Sequence, residues 1–266
     1  MAQPNGSSKI RVTILGSGTS TGVPMIHCSC AVCTSTDPKD NRLRASIWIE
    51  TEGKSLLVDA SPDFRQQALR ARIARIDAIL FTHPHFDHIG GVDELRSYNF
   101  IQKEVIPAYG HDWTVRDLTA RVPYIFGKGM TGEGGGAAQI ELHQFSLDQE
   151  FFVAAGVKII PMPLDHGSRK VAGFRVGDIA YLTDCNHIPP ESFKRLEGLD
   201  VLILDCLRFS KHETHLSLEA SLEYSTKIGA KRTIFTHLSH DFGFNSVSRT
   251  LPKNHELAYD QLIVTI

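Results

Sequence analysis

The chain reads first as short apolar runs separated by turn residues. Ile10-Arg11-Val12-Thr13-Ile14-Leu15 alternates apolar and polar positions, the period of a half-buried strand. Ser46-Ile47-Trp48-Ile49-Glu50 and Ser55-Leu56-Leu57-Val58-Asp59 predict a hairpin turning around Glu52-Gly53. Pro62 to Arg72 is a candidate helix with Ser61 as its N-cap, and Asp93 to Ile101 is another. Between them, Ala78-Ile79-Leu80-Phe81 is short enough for a buried strand. Further strands are expected at Val157-Lys158-Ile159-Ile160, Ile179-Ala180-Tyr181-Leu182 and Val201-Leu202-Ile203-Leu204-Asp205. Ser217 to Ile228 predicts a helix before a last strand ending at His237. Gly127 to Gln139 holds six glycines, and reads either as a flexible loop over or beside a site or as a plain surface loop. This order supports an α/β fold: one αββα sandwich, two packed sheets with helices outside, rather than two separable domains. The domain is expected over residues 10–266, after a polar, flexible tail at residues 1–9.

Composition adds three restrictions. A hydrophobic fraction of 42% suffices for a substantial core, and no apolar run approaches the roughly 18 residues of a membrane span. The net charge of −2 gives no global attraction for a nucleic-acid polyanion. Arg65 to Arg75 carries four arginines, spaced as a solvated helix face rather than a phosphate track. Met1 to Lys9 contains no signal-peptide core, so a cytoplasmic setting is expected. Thiols stay reduced there, and clustered cysteines point to metal more than to disulfides. Three of the five cysteines fall in Cys28-Ser29-Cys30-Ala31-Val32-Cys33, leaving a tetrahedral zinc one ligand short. Cys185 and Cys206, each beside an aspartate at a strand end, read as buried small apolar residues.

The densest chemistry lies in Thr82-His83-Pro84-His85-Phe86-Asp87-His88-Ile89-Gly90-Gly91. Three imidazoles and a carboxylate follow a buried strand, and these are ligands for a divalent cation. Four such groups off one strand end do not all face one metal comfortably. They suit two neighbouring metals, each completed from elsewhere. With this motif the chain resembles the metallo-β-lactamase superfamily, whose signature is H-x-H-x-D-H at such a strand end. The resemblance implies three more ligands, each after a later strand: His166, Asp184 and His237 stand in that order. By position it puts His83, His85 and His166 on one metal and Asp87, His88 and His237 on the other, with Asp184 bridging. Two metals, manganese or zinc, are implied. The C-x-C-x-x-C run resembles the PhnP-like phosphodiesterase branch, in which a histidine three residues beyond the last active-site histidine completes a structural zinc. That residue is His240, beside Cys28, Cys30 and Cys33. Two positions depart from the branch, His27 before the first cysteine and Gln261 after Tyr259-Asp260, where glycine is usual.

Two further elements carry expectations. Gly16-Ser17-Gly18-Thr19-Ser20-Thr21-Gly22 lacks the lysine of a P-loop and the glycine spacing of a dinucleotide fingerprint. Its glycines are expected to turn the first strand beside the site, where Ser17, Thr19, Ser20 and nearby amides would meet a phosphate. Lys211-His212-Glu213-Thr214-His215-Leu216-Ser217 precedes a helix. In phosphodiesterase branches of the superfamily a histidine at this place donates a proton, which implies a catalytic role for His215 alongside Asp87, with His212 binding substrate. Imidazole, with a pKa of about 6.5, suits protonation of a leaving alkoxide. The resemblance therefore implies a dinuclear phosphodiesterase for small phosphodiesters, such as ribose cyclic phosphates or 2′,3′-cyclic nucleotides. No membrane and no stable nucleic-acid partner are expected, and a homodimer is possible. The rivals are a tRNase Z-like nuclease, whose basic arm is missing, and a non-hydrolytic PqqB-like protein, which lacks the hydrolytic ligands present here.

Overall fold

Uninterrupted apolar runs become strands because both of their faces are covered. The computed structural model describes residues 9–127 and 136–266; most of the glycine-rich stretch thus lies outside the described residues. Six strands, β1 Arg11–Gly16, β2 Ser46–Thr51, β3 Lys54–Val58, β4 Ala78–Leu80, β5 Ile106–His111 and β6 Ile140–Phe145, build the first sheet together with β14 Ile263–Thr265. The second contains β7 Phe152–Ala154, β8 Val157–His166, β9 Arg169–Val176, β10 Ile179–Leu182, β11 Val201–Asp205, β12 Arg232–Thr236 and β13 His255–Leu257. Their orders are β14-β1-β2-β3-β4-β5-β6 and β13-β12-β11-β10-β9-β8-β7. In the first sheet β14, β1, β2 and β3 pair antiparallel, and β3 to β6 run parallel. In the second, β7 to β10 pair antiparallel and β10 to β13 run parallel.

Alternate residues of each strand feed different cores. Leu56 and Val58 of β3 join Ile203 and Ile234 from the second sheet in the central core, whereas Leu57 faces the outer helices. Those helices are α1 Phe64–Ala71, α3 Arg96–Gln102 and α4 Asp112–Arg121, whose Phe64, Tyr98 and Leu118 pack on Phe81 and Ile79. On the far side Leu202 and Leu204 of β11 pack with Leu222 of α7 Leu218–Ile228. The remaining helical turns are α2 Phe86–Ile89, α5 Pro123–Phe126, α6 Pro190–Phe193 and α8 Phe244–Ser248. This is the expected sandwich. None of the described helices is long and apolar enough to cross a membrane.

Local details depart from the expectations where side chains find other partners. The first helix starts at Phe64, later than Pro62. Ser61 Oγ accepts from the Asp63 amide and donates to Gln67, so it closes the turn ahead of the helix rather than capping it. Asp93 to Ile101 splits into a 3-10 turn, Val92–Leu95, and α3. Strand β8 runs on to His166 through Pro161 and Pro163, which pair only with β9. Prolines are tolerated there because their missing N–H faces the side with no partner strand.

Candidate metal centre

Three of the expected ligands stand at or just beyond strand ends: His166 closes β8, Asp184 follows β10 and His237 follows β12. His83, His85, Asp87 and His88 come from the loop after β4 and from α2. The centre is therefore assembled across both sheets. Ligand atoms of His83, His85 and His166 lie within 4.8 Å of one another, as do those of Asp87, His88, Asp184 and His237. His83 Nε2 is 2.8 Å from His85 Nδ1. Asp184 Oδ2 lies 3.2 Å from His88 Nε2, and its Oδ1 lies 3.2 Å from His237 Nε2 and 3.9 Å from His83 Nε2. One carboxylate thus faces both sets.

The residues fit a pair of divalent cations. His88 Nε2 and both His237 nitrogens are buried without a hydrogen-bond partner, an arrangement that costs free energy unless something else satisfies them. The charges point the same way. Burial alone would raise Asp184, yet His237, His88 and His83 hold it well below the usual carboxylate range. Burial would lower His88, but Asp184, Asp87 and Asp59 lift it well above an ordinary imidazole.

Two buried aspartates aim the imidazoles, and the sequence reading missed both roles. Asp59, just past β3, accepts from His88 Nδ1 at 2.7 Å and from the Thr82 amide and hydroxyl at 2.8 Å each. That leaves His88 Nε2 directed at the cluster, as carboxylate–imidazole pairs do in metal sites. Asp205, closing β11, accepts from His215 Nδ1 at 3.2 Å, the Asp184 amide at 2.9 Å and the Leu216 amide at 2.9 Å. The signal was present: both aspartates close apolar strands, as Asp184 does. His166 Nδ1 donates to the Thr214 carbonyl at 2.9 Å, freeing its Nε2. Asp59, Asp184 and His237 all have left-handed backbone, with φ of 62°, 56° and 61°. Non-glycine residues hold that conformation only where their surroundings impose it.

His215 stacks on His237 with ring centroids 4.7 Å apart, and its Nε2 is 3.9 Å from Asp184 Oδ1. Burial would lower this imidazole, but Asp205 raises it to about 9. His215 and His212 open onto a cleft of about 560 Å³ that also touches Asn186, Lys211, Tyr224 and Lys227. His212 Nδ1 accepts from the Thr214 amide at 3.2 Å. Trp113, on which the sequence offered no signal, packs its ring 5.6 Å from that of His85.

The glycine loop behaves differently from expectation. Ser17 is fully buried and donates its hydroxyl to Asp260 at 2.9 Å. The Ser17 amide goes to Asp260, that of Gly18 to the Leu43 carbonyl and that of Thr19 to the Leu238 carbonyl. Thr19 is itself buried, while Ser20 is exposed. These amides and the Ser17 hydroxyl are committed to the fold and are not turned to a phosphate. The glycines serve packing: a Cβ on Gly16 would lie 2.0 Å from the Arg44 carbonyl oxygen.

A second cluster lies beyond the first. Cys28, Cys30 and Cys33 place Sγ atoms 3.3, 3.4 and 3.5 Å from His240 Nδ1. A tetrahedron with Zn–S of about 2.3 Å and Zn–N of about 2.0–2.1 Å has an S–N edge of roughly 3.6 Å. The four residues fit that closed set. His27 and Gln261, the two departures, hold left-handed backbone with φ of 63° and 71°. The chain keeps the shape glycine would take and bears the steric cost itself.

Comparison with known proteins agrees with this geometry. The β-lactamase superfamily domain model matches residues 54–238. The crystal structure of a diphosphatase of the PhnP family superposes with a TM-score of 0.90 at 43% identity, covering 97% of each chain. A curated relative, an octanoyltransferase of Porphyromonas gingivalis, is 36% identical over 95% of this chain, which spans only 51% of that protein. Zinc-bound PqqB of Methylobacterium extorquens shares the fold at 19% identity, with a TM-score of 0.77 over 96% of this chain and 99% of PqqB. The matched domain and the near-complete likeness to the diphosphatase place this chain in the metallo-β-lactamase superfamily, within its PhnP family.

Proposed function

We propose that residues 10–266 form one dinuclear metal-dependent hydrolase domain acting on small phosphodiesters or on the P–O–P bond of a diphosphate diester. The observation that carries this reading is His215: a partly buried imidazole held by Asp205, with its proton affinity raised, between the ligand clusters and an open cleft. His83, His85 and His166 would hold one cation and Asp87, His88 and His237 the other, with Asp184 between them. When bound, such a pair supplies Lewis acidity that activates water and neutralises a phosphoryl group. Water adds its oxygen to phosphorus as the bond to the leaving oxygen breaks. Asp87, a partly buried carboxylate of the second cluster, would take the water's proton, and His215 Nε2 would give one to the leaving oxygen. Asp205, accepting from His215 Nδ1, stabilises the doubly protonated imidazolium, whose proton on Nε2 is the one given up.

Cys28, Cys30, Cys33 and His240 would hold a structural zinc that takes no part in the chemistry. The name of the 43%-identical structure supports phosphoanhydride cleavage alongside phosphodiester cleavage. Octanoyl transfer is named for a protein about twice as long, and a site walled by imidazoles and carboxylates offers little to an eight-carbon acyl chain. A cytoplasmic setting suits five cysteines of which none is in a disulfide. The test is kcat/KM of protein loaded with manganese or zinc for a 2′,3′-cyclic nucleotide, a diphosphate diester and a precursor tRNA. The small substrates are expected to win, because gripping a polyanion needs many cationic contacts. Preference for the tRNA would favour a tRNase Z-like nuclease. Metal binding with no hydrolysis of any of the three would favour a PqqB-like role.

A further inference from the structure

Strands β8 and β9 form a hairpin in which His166 lies directly opposite Arg169 across the ladder. Directly opposed residues of an antiparallel pair point to the same face, so the Arg169 side chain shares the face of a candidate metal ligand. The hairpin tip is tied down: the Gly167 amide donates to Asn186 Oδ1 at 2.9 Å, the Asp165 amide donates to the His187 carbonyl at 3.0 Å, and the Asp165 carbonyl accepts from the Asn186 amide at 2.8 Å. The next residue, Lys170, faces the other side and is paired with Asp165 at 2.6 Å. Among the described residues no carboxylate pairs with Arg169. Its guanidinium instead lies over the Trp113 ring, 5.3 Å from the centroid. That indole packs in turn 5.6 Å from His85 and 6.3 Å from His83. The order is metal ligand, indole, guanidinium.

We propose that Arg169, seated on Trp113, is a specificity-determining residue that binds a second phosphoryl group of the substrate, adjacent to the one attacked at the metal pair. The inference rests on the hydrolase reading given above and deepens it toward diphosphate diesters. A guanidinium is always charged and presents paired N–H donors that match two phosphate oxygens. Its stem here is half fixed by the indole face, so less freedom is lost on binding than from an unsupported side chain. Opposite His166 in the ladder and seated on the ring that packs on His85, the guanidinium flanks the ligand cluster, where a neighbouring phosphoryl group would meet it. The indole face is covered by the cation, so a nucleobase stacked on Trp113 would first have to displace Arg169.

The experiment compares a dinucleoside diphosphate with bis(4-nitrophenyl) phosphate, which has a single phosphoryl group, using metal-loaded wild type, Arg169→Ala and Arg169→Lys. The ratio of kcat/KM for the diphosphate over the nitrophenyl ester should fall about 10- to 100-fold in Arg169→Ala, the size of a lost hydrogen bond to a charged group. The loss should lie mainly in KM, and Arg169→Lys should restore part of it. An unchanged ratio would overturn the assignment, as would a higher ratio, which would indicate a base stacking on the bared indole. Wild type that cleaves the nitrophenyl ester but not the diphosphate would sink this inference alone. Cleavage of neither would sink the hydrolase reading as well.

Discussion

His215 is where a single side chain decides the most. Its replacement by alanine should leave the cation ligands in place, yet slow unactivated phosphodiesters by roughly 10²–10⁴-fold, the usual worth of a positioned acid. A 4-nitrophenyl ester needs little protonation of its leaving group and should lose less. Equal losses on both, measured as kcat with metal content checked, would make His215 a positioning residue instead. The seven candidate ligands were legible as two groups because their residue types are rare at strand ends, and the structure brings them together. Asp59 and Asp205 were not, although each closes an apolar strand just as Asp184 does. What distinguishes the three is which imidazole or amide the fold brings to each carboxylate, and that is tertiary information. Ser17 failed for a related reason. A serine between glycines suggests a phosphate loop, and only the buried Asp260, more than two hundred positions away, shows where its donors go.

At the level of elements, the loop carrying Cys28, Cys30 and Cys33 is joined to the segment after β12 through His240, three residues past His237. A closed zinc there would convert two loops into one rigid piece, and its binding free energy would become folding free energy. Cys30→Ser should therefore lose one zinc per chain and lower the melting temperature by several degrees. Elemental analysis with a melting curve checks both, and full zinc with an unchanged transition would refute the tie. Strands were legible because covered sheets demand uninterrupted apolar runs, and the run lengths carried over well. Helix starts were less so: Ser61 and Gln67 bond to each other and shift the first helix by about half a turn. The reach of β8 to His166 was hidden by two prolines, which an edge position tolerates.

Over the whole molecule, ligands arrive from both sheets, so neither half holds the centre without the other. The strand directions described above carry one more consequence. Numbered from β7, the second sheet runs through three antiparallel pairings and then three parallel ones. Numbered from β14, the first sheet does the same. Ile10 and Ile266 exchange two backbone hydrogen bonds of 3.0 Å, so the start of β1 and the end of β14 lie side by side. A circular permutant joined there by a short linker and reopened in the turn at Asp148–Glu150 would carry each sheet on one continuous segment. It should fold in a single transition and bind the same complement of cations, by melting curve and metal analysis; a chain that stays unfolded would mean the order of synthesis matters. In that rearranged chain Asp59 and Asp184, both left-handed and both following the fourth strand of their sheet, occupy the same station in two copies of one plan. One copy orients an imidazole, and the other faces both groups of candidate ligands.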